Sequence, residues 1–366
     1  MYYRPAPTAL VGSASRRKIR HATARHPDTL LTVRPREFEL KPGMSISPPL
    51  SPLPGTTLQV SRLCLGTALL GVRQSESEAH RLLDAYLDLG GNFIDTARVY
   101  SDWVPNESGR AERILGDWMR DRPGVRSRIV LATKGLHPPL SAPHQSRVNL
   151  REARRDIEAS LRALRCECVE LYWLHRDDPA VPVEEIVEFM QGFIREGKIR
   201  YLGASNWSMN RLAAANAYAN RHGFAPFIAN QILFHAGCWT LPPARDPSMT
   251  RIDLDYHRWH SRSGLSLVPY STQAQGFFSR PCVGVPTATA TNMQLVPLLN
   301  SLARTHRVSV NAVVLGYALR QPFPVFPVIG PNTPEQLADS WTALGMQWDL
   351  SELTAINEAN GSGLTS

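Results

Sequence analysis

The sequence contains no apolar run long enough to cross a membrane. A spanning helix needs about 18 to 20 consecutive apolar residues, and no stretch of the 366 residues reaches that length. The pattern therefore predicts a protein without a transmembrane helix. Hydrophobic residues nevertheless make up 43% of the chain, which is enough for one large core.

Cysteine is scarce, and its spacing does not suit a metal site. The chain has five cysteines, none of them in a Cys-x-x-Cys pair, and no His-x-x-x-His motif stands near Cys166 and Cys168. Zinc modules place their ligands in such pairs. We therefore expect free thiols in a reducing compartment, a cytoplasmic protein and no bound metal.

The positive charge is concentrated at the beginning of the chain. Residues 1–50 hold nine Lys or Arg against three Asp or Glu, so they contribute +6 to the net charge of +8. The other residues are nearly neutral, which argues against a nucleic-acid partner. Because residues 1–50 are also rich in Pro and Ser and show no periodicity, we expect a disordered basic extension. A targeting peptide and a translation start at Met44 are the alternatives.

From residue 51 onward, apolar runs of strand length alternate with amphipathic helices. Eight runs are typical of buried parallel strands, and they span residues 62–69, 92–97, 128–134, 169–175, 199–205, 227–233, 265–271 and 325–330. The helices predicted between them cover residues 75–90, 109–119, 150–164, 182–197 and 208–223. This alternation predicts a single α/β domain over residues 51–366, a (β/α)8 barrel, and no Gly-x-Gly-x-x-Gly turn supports an open dinucleotide-binding sheet instead.

Local signals refine this barrel. Residues 53–61 predict a short β-hairpin that caps it, and Ser75 with Glu78 forms the pattern of a helix capping box. Gly90, Gly197 and Gly223 are placed to end helices. We expect two long irregular loops, one over residues 235–262 and one over residues 278–290, and long loops in compact domains are often binding loops.

Four ionisable residues lie at the ends of consecutive predicted strands. Asp95 ends the second strand, Tyr100 follows five residues later, Lys134 ends the third strand and His175 ends the fourth. Barrel enzymes carry their reacting groups at the carboxyl ends of the strands, so the four side chains should converge. Each residue taken singly also has a plain structural role, as a cap, a packing residue or a member of a surface salt-bridge cluster.

The residue types suggest proton transfer to a carbonyl oxygen. Free Tyr has a pKa near 10 and needs a nearby cation to exchange its proton at neutral pH. Lys134, one of only four lysines in a chain rich in Arg, can supply that cation. Asp95 would keep the ammonium charged, and His175 would orient the carbonyl through a hydrogen bond.

The motifs around these residues resemble the aldo-keto reductase family. FIDTA with the following Tyr100, then ATKG, LHRDD, GASNW, NQ and PVIGPNTPEQL, match family motifs in the family's order across about residues 53–360. The resemblance implies a metal-free barrel that binds a nicotinamide cofactor and reduces an aldehyde or ketone to an alcohol. Tyr100 would be the general acid, assisted by Lys134, Asp95 and His175.

The resemblance also implies a cofactor site on the same face. Ser205, Asn206 and Gln231 resemble the ligands of the nicotinamide carboxamide, Tyr270 the residue that stacks on the ring, and residues 271–277 the pyrophosphate loop. The full set of implied cofactor residues is Gly66, Thr67, Ser205, Asn206, Gln231, Tyr270, Ser271, Gln273, Gln275, Gly276, Phe277, Ile329, Gly330, Asn332 and Gln336.

One departure from the family concerns the choice between NADP(H) and NAD(H). Many members carry Arg or Lys where this chain has Pro331, Asn332 and Thr333, and a phosphate without a cation partner is poorly held. Arg280 is the alternative cation. The family's usual preference favours NADP(H), and NAD(H) remains the alternative.

The predicted substrate is a small carbonyl or alcohol compound. Arg98, Trp103, His137 and Asp177 are the candidate substrate contacts, and YSDWVP and LHRDDP resemble bacterial members associated with sugar-like substrates. A second hypothesis is a nicotinamide-binding regulatory or channel-associated subunit with little turnover. The sequence carries no signal for an oligomeric state.

Overall fold

The computed structural model describes residues 50–364. The predicted disordered extension therefore lies outside the described residues, except for Leu50. Within them, the strands are β1 Ser51–Pro52, β2 Gln59–Val60, β3 Cys64–Gly66, β4 Phe93–Asp95, β5 Val130–Gly135, β6 Val169–Leu174, β7 Ile199–Ser205, β8 Phe227–Gln231, β9 Ser266–Leu267 and β10 Val328–Ile329. The helices are α1 Glu76–Asp88, α2 Arg110–Arg120, α3 Leu150–Leu164, α4 Val183–Arg195, α5 Met209–His222, α6 Leu254–Ser263, α7 Ala290–His306, α8 Val310–Leu319, α9 Pro334–Trp341 and α10 Leu350–Ala359.

Eight parallel strands form the barrel that the sequence predicted. Their order is β10-β3-β4-β5-β6-β7-β8-β9, so neighbours in the chain are neighbours in the sheet. The two outer strands meet through backbone hydrogen bonds, in which Phe326 N donates to Leu267 O at 2.8 Å and Val328 N donates to Pro269 O at 2.9 Å. These bonds close the sheet into the (β/α)8 barrel, and β1 pairs with β2 in the antiparallel hairpin expected as its cap.

The local helix signals are confirmed. Ser75 and Glu78 form a complete capping box at the start of α1. Gly90, Gly197 and Gly223 all have positive φ angles just after a helix, the backbone conformation that glycine adopts without strain.

The prediction of an irregular loop over residues 235–262 is wrong for its last nine residues, because α6 begins at Leu254. Asp253 caps this helix by accepting a hydrogen bond from Tyr256 N. The buried face of α6 consists of Tyr256, His257 and His260 rather than aliphatic residues, so the sequence shows no ordinary amphipathic pattern there. The second predicted loop is confirmed over most of its length, since no helix or strand lies between Gly276 and Ala290.

Across residues 50–364, no helix has the length and apolar composition that a bilayer span requires.

Large aromatic and aliphatic side chains fill the barrel interior. Phe93, Leu171 and Trp173 are fully buried in one cluster inside the strands. A second, larger layer of aliphatic residues lies between the strands and the surrounding helices, so the core has the two shells expected of this architecture.

Candidate active site

Three of the four predicted reacting groups continue the inward-facing rows of adjacent strands, and the fourth, Tyr100, lies on the loop after β4. Alternate residues of a strand point to the same side, and Phe93 of β4 and Trp173 of β6 lie in the barrel interior. Two residues further on, the same rows reach Asp95 and His175. The inward row of β5 likewise leads to Lys134, so the polar side chains lie where the apolar filling of the barrel ends.

Lys134 holds the centre of this cluster. Its ammonium donates hydrogen bonds to Asp95 Oδ2, to the carbonyl of Thr96 at 2.8 Å and to the hydroxyl of Tyr100 at 3.0 Å. The side chains of Lys134 and Asp95 are 1% and 2% exposed, so this is a buried ion pair. The other Asp95 oxygen accepts a hydrogen bond from Gln231 Nε2 at 3.2 Å.

Burial sets the protonation states of the cluster at neutral pH. Burial raises the pKa of Tyr100, and the positive charge of Lys134 opposes that rise. Burial lowers the pKa of Lys134, but the Asp95 carboxylate and the Tyr100 hydroxyl together raise it above its usual value. Burial, with the neighbouring His137, Arg176 and Lys134, holds the pKa of His175 well below its usual value. The cluster therefore contains a phenol, an ammonium and a neutral imidazole.

His175 lies beside both Tyr100 and His137. The His175 ring centroid is 6.0 Å from that of Tyr100 and 4.7 Å from that of His137. Nδ1 of His175 is buried and has no hydrogen-bond partner among the described residues. His137 Nδ1 donates to the carbonyl of Pro138 at 2.7 Å, and burial lowers the pKa of His137 to about 4. Both imidazoles are therefore neutral near pH 7.

The residues expected to hold the nicotinamide lie at the carboxyl ends of β7, β8 and β9. Ser205 Oγ donates to the carbonyl of Gln231 at 3.0 Å, and Asn206 Nδ2 donates to Ser205 Oγ at 3.0 Å. The Tyr270 hydroxyl donates to Asn206 Oδ1 at 2.8 Å. On the opposite side, Thr67 donates to the backbone carbonyl of Asp95 at 3.1 Å. The predicted nicotinamide residues thus share one network with the reacting groups.

The residues expected to hold the pyrophosphate and adenosine lie together at the edge of this face. Ser271, Gln275 and Gly276 all have positive φ angles, so the backbone turns sharply. Gln273 Nε2 reaches α9 through a hydrogen bond to Ser340 Oγ at 3.0 Å. Asn332 N donates to Gln336 Oε1 at 2.8 Å at the start of that helix.

Three glycines and two apolar residues of the implied cofactor set differ in the space beside them. An added Cβ at Gly66 would lie 2.6 Å from a methyl group of Val328, whereas one at Gly276 or Gly330 would meet nothing within 4 Å. Open space beside a glycine backbone suits the close approach of a ligand. The side chains of Phe277 and Ile329 are buried in the core, so only their backbones can face this space.

Two of the four substrate candidates make their side-chain hydrogen bonds to residues other than the reacting groups. Arg98 Nη2 donates to Ser108 Oγ at 2.8 Å, near the start of α2. Asp177 accepts two hydrogen bonds from Arg211, at 2.8 and 2.9 Å. Arg98 therefore links two parts of the loop between β4 and α2, and Asp177 links the loop after β6 to α5.

Of the other two candidates, His137 contacts a reacting group. His137 touches His175 and, with Lys134 and Arg98, lines a cavity of about 330 Å³. Trp103 is half-buried on the loop that carries Tyr100.

Sequence reasoning missed the role of Arg176 and of the turn Asp246–Thr250. Arg176 was not among the predicted site residues. It is buried, with 8% of the residue exposed, and it contacts both the backbone of His175 and this turn. The one signal in the sequence was its position directly after His175.

All five cysteines are unpaired, as expected. Within residues 50–364, no group of three or more His, Cys, Asp or Glu side chains is placed to hold a metal ion.

A closed (β/α)8 barrel with ionisable groups at the carboxyl ends of its strands has the architecture of an enzyme. The sequence profile of the aldo/keto reductase family matches residues 62–361. The chain therefore belongs to the aldo/keto reductase family and is an oxidoreductase. Members of this family use nicotinamide cofactors rather than a metal and act on small carbonyl compounds.

Individual relatives agree with this assignment. The chain is 32% identical to the uncharacterized oxidoreductase YrpG of Bacillus subtilis, over 83% of this chain and 93% of the relative. It is 28% identical to an aryl-alcohol dehydrogenase of Pestalotiopsis microspora, over 83% and 80%. It is 29% identical to the norsolorinic acid reductase stcV of Emericella nidulans, over 84% and 80%.

Proposed function

We propose that this protein reduces an aldehyde or ketone to the alcohol with NADPH or NADH, and that Tyr100 is the general acid. The observation that carries this proposal is the 3.0 Å hydrogen bond from the Lys134 ammonium to the Tyr100 hydroxyl, in a buried pair with Asp95. A buried ammonium beside a phenol stabilises the negative charge that the phenol acquires as its proton leaves.

Each residue of the cluster has a defined part in this proposal. Tyr100 is protonated near pH 7, because burial raises its pKa, so it can donate a proton to a carbonyl oxygen. Lys134 offsets the developing phenolate charge, and Asp95 holds the ammonium in place. His175 is neutral and has a buried ring nitrogen without a partner, which can hydrogen-bond the carbonyl oxygen of the substrate and fix its direction.

The chain's residues fit a dinucleotide. Ser205, Asn206, Gln231 and Tyr270 would hold the nicotinamide, and the open backbone near Gly276 leaves room for the pyrophosphate. When bound, the cofactor supplies the hydride that the carbonyl carbon accepts.

The adenosine end determines the choice between NADP(H) and NAD(H). Asn332 lies beside the start of α9, where backbone N–H groups and the helix dipole favour an anion. No cationic side chain lies between Gly330 and Gln336. We therefore propose that the protein accepts both cofactors and that it favours NADP(H), the usual cofactor of the family.

The substrate site lies around His137 and Trp103. The relatives include proteins named for aryl alcohols and for norsolorinic acid, whereas the sequence motifs resemble members associated with sugar-like substrates. Neutral imidazole and indole rings suit both kinds of ligand. We include in the proposal a single catalytic domain over residues 51–366 and a cytoplasmic location, the latter because all five thiols are free.

A fluorescence titration tests the cofactor site. The purified chain has eight Trp, and we expect NADPH and NADH to quench their emission with about micromolar affinity. The loaded protein is then mixed with benzaldehyde and with a sugar aldehyde, and cofactor oxidation is followed by absorbance. Binding with turnover supports the reductase, and binding without turnover of any carbonyl compound favours the regulatory subunit. Failure to bind either cofactor would exclude both.

A further inference from the structure

Arg176 belongs to the LHRDD motif. Neither this motif nor the roles proposed for the four reacting groups accounts for the contacts of its guanidinium. The guanidinium donates to the carbonyl of His175 at 2.9 Å and to Ser248 Oγ at 3.0 Å. Its remaining nitrogen lies 3.5 Å from a carboxylate oxygen of Asp246, and the side chain is 10% exposed. A buried cation thus joins the backbone of His175 to a segment about seventy residues later in the chain.

That segment, Asp246–Thr250, is a compact turn. Asp246 Oδ1 accepts hydrogen bonds from Ser248 N at 2.9 Å and from Ser248 Oγ at 2.6 Å. Met249 N donates to the Asp246 carbonyl at 3.1 Å. Because the Ser248 hydroxyl donates to Asp246 and accepts from Arg176, the turn presents one defined face to the guanidinium.

The other end of the turn holds the predicted nicotinamide residues. Thr250 N donates to Asn206 Oδ1 at 3.1 Å, and Thr250 Oγ1 donates to the Asn206 carbonyl at 3.0 Å. The Tyr270 hydroxyl donates to the same Asn206 oxygen at 2.8 Å and contacts the Thr250 carbonyl at 3.4 Å. Asn206 Nδ2 also reaches the His175 carbonyl at 3.4 Å. The turn is therefore bonded to Arg176 through Ser248 and to Asn206 through Thr250, and Arg176 and Asn206 both donate to the His175 carbonyl.

We propose that Arg176 is a positioning residue of the nicotinamide pocket, which fixes the turn Asp246–Thr250 and through it orients Asn206 and Tyr270. The inference rests on the proposed function for the identity of the ligand. It rests on the hydrogen bonds above for the role of Arg176.

The physical reason is preorganisation. Asn206 has a φ of 59°, a left-handed backbone conformation that costs free energy unless the surroundings hold it. The two bonds from Thr250 hold this backbone and the amide together. Without Arg176, Asp246 and Ser248 lose the cation that fixes the turn, and ordering the pocket becomes part of the cost of cofactor binding.

The first test replaces Arg176 by Met in the full-length chain and measures NADPH and NADH binding by Trp fluorescence. We expect Kd to rise about tenfold or more, as the loss of charge-assisted hydrogen bonds in a buried site implies. Arg176→Lys restores the charge but cannot reach both Ser248 and the His175 carbonyl, so it should recover only part of the affinity. Ser248→Ala and Thr250→Val should weaken binding in the same direction and to a smaller extent.

Arg126→Met is the matched control. Arg126 also donates to a backbone carbonyl, that of Cys168 at 2.7 Å, and to a carboxylate, that of Glu170 at 2.9 Å. It precedes β5, however, and so lies at the opposite, amino-terminal face of the barrel. Its loss should reduce stability without changing the cofactor Kd.

Hydrogen exchange gives a readout that needs no cofactor. In the wild type, the amides of Ser248, Met249 and Thr250 should exchange slowly because each has an acceptor. Arg176→Met should speed their exchange, and Arg126→Met should not. Unchanged exchange and unchanged Kd in Arg176→Met, Ser248→Ala and Thr250→Val would overturn the inference. A wild type that binds neither cofactor would instead overturn the proposed function, while the exchange measurement would still decide the role of Arg176.

Discussion

Replacing Lys134 by Met removes the cation at the centre of the site and keeps most of the side-chain volume. In the wild type, the ammonium bonds to Asp95, to the Thr96 carbonyl and to the Tyr100 hydroxyl, and the side chain is 1% exposed. Methionine makes none of these bonds. The variant therefore separates the contribution of the charge from that of packing.

The effect on catalysis follows from the bond to Tyr100. A hydrogen bond to a charged group contributes about 1.5 to 3 kcal/mol, and here it strengthens as the phenol loses its proton. We therefore expect kcat/KM for carbonyl reduction to fall about 10- to 150-fold. Cofactor affinity should change little, because Lys134 contacts none of Ser205, Asn206 and Tyr270 through hydrogen bonds.

The effect on stability follows from Asp95, which is left buried without its cation. Among residues 50–364, it then retains the amide of Gln231, at 3.2 Å, as its one side-chain partner. Breaking a buried ion pair by removing one partner costs about 3 to 5 kcal/mol. For a domain of this size, that corresponds to a fall in Tm of about 5 to 8 °C.

A second substitution tests this reasoning. Asp95→Asn in the Lys134→Met background removes the unpaired charge, so Tm should recover most of its loss while activity stays low. Thermal unfolding followed by circular dichroism and turnover with benzaldehyde measure the two effects. The reasoning is refuted if Lys134→Met melts like the wild type, or if the double variant melts no higher than the single one.

Three further predictions concern the cofactor, pH and packing. Asn332→Arg should raise affinity for NADPH relative to NADH, and Asn332→Gln should leave the ratio unchanged; equal ratios in both would assign the 2′-phosphate to another residue. Burial lowers the pKa of His235 to about 3, so on acidification this imidazole takes up a proton in the unfolded chain before it does so in the folded protein. The free energy of unfolding therefore falls as the pH drops below about 6.5. His235→Phe should make the accompanying fall in Tm less steep. Gly66→Ala should lower Tm, because its Cβ would lie 2.6 Å from Val328 and 3.1 Å from the Ile329 carbonyl. An unchanged Tm would mean that β10 can shift away from the new methyl group without loss of stability.

The sequence predicted all eight barrel strands because buried parallel strands are apolar on both faces and stand out as continuous runs. The same logic predicted the convergence of Asp95, Lys134 and His175, since each continues an inward-facing row. It failed for α6, whose buried face is made of aromatic and His side chains. The sequence analysis also assigned no ranges to α7 and α8, which lie between β9 and β10, or to α9 and α10, which follow β10.

Side-chain partners across loops were the least predictable feature. Asp177 bonds to Arg211, 34 positions later in the chain, and Arg98 turns toward Ser108. Arg176 reaches Ser248, 72 positions away. The partner of a long flexible side chain depends on how several segments are arranged in the folded protein. Strand patterns and residue spacing do not predict that arrangement.

The central claim is that Tyr100 delivers the proton to the carbonyl oxygen, and Tyr100→Phe tests it most directly. The phenyl ring keeps the packing and loses only the hydroxyl that Lys134 contacts at 3.0 Å. We predict that carbonyl reduction falls by about 100- to 10,000-fold, as expected for the loss of a general acid, while the Kd values for NADPH and NADH stay unchanged. Turnover close to that of the wild type would contradict the account.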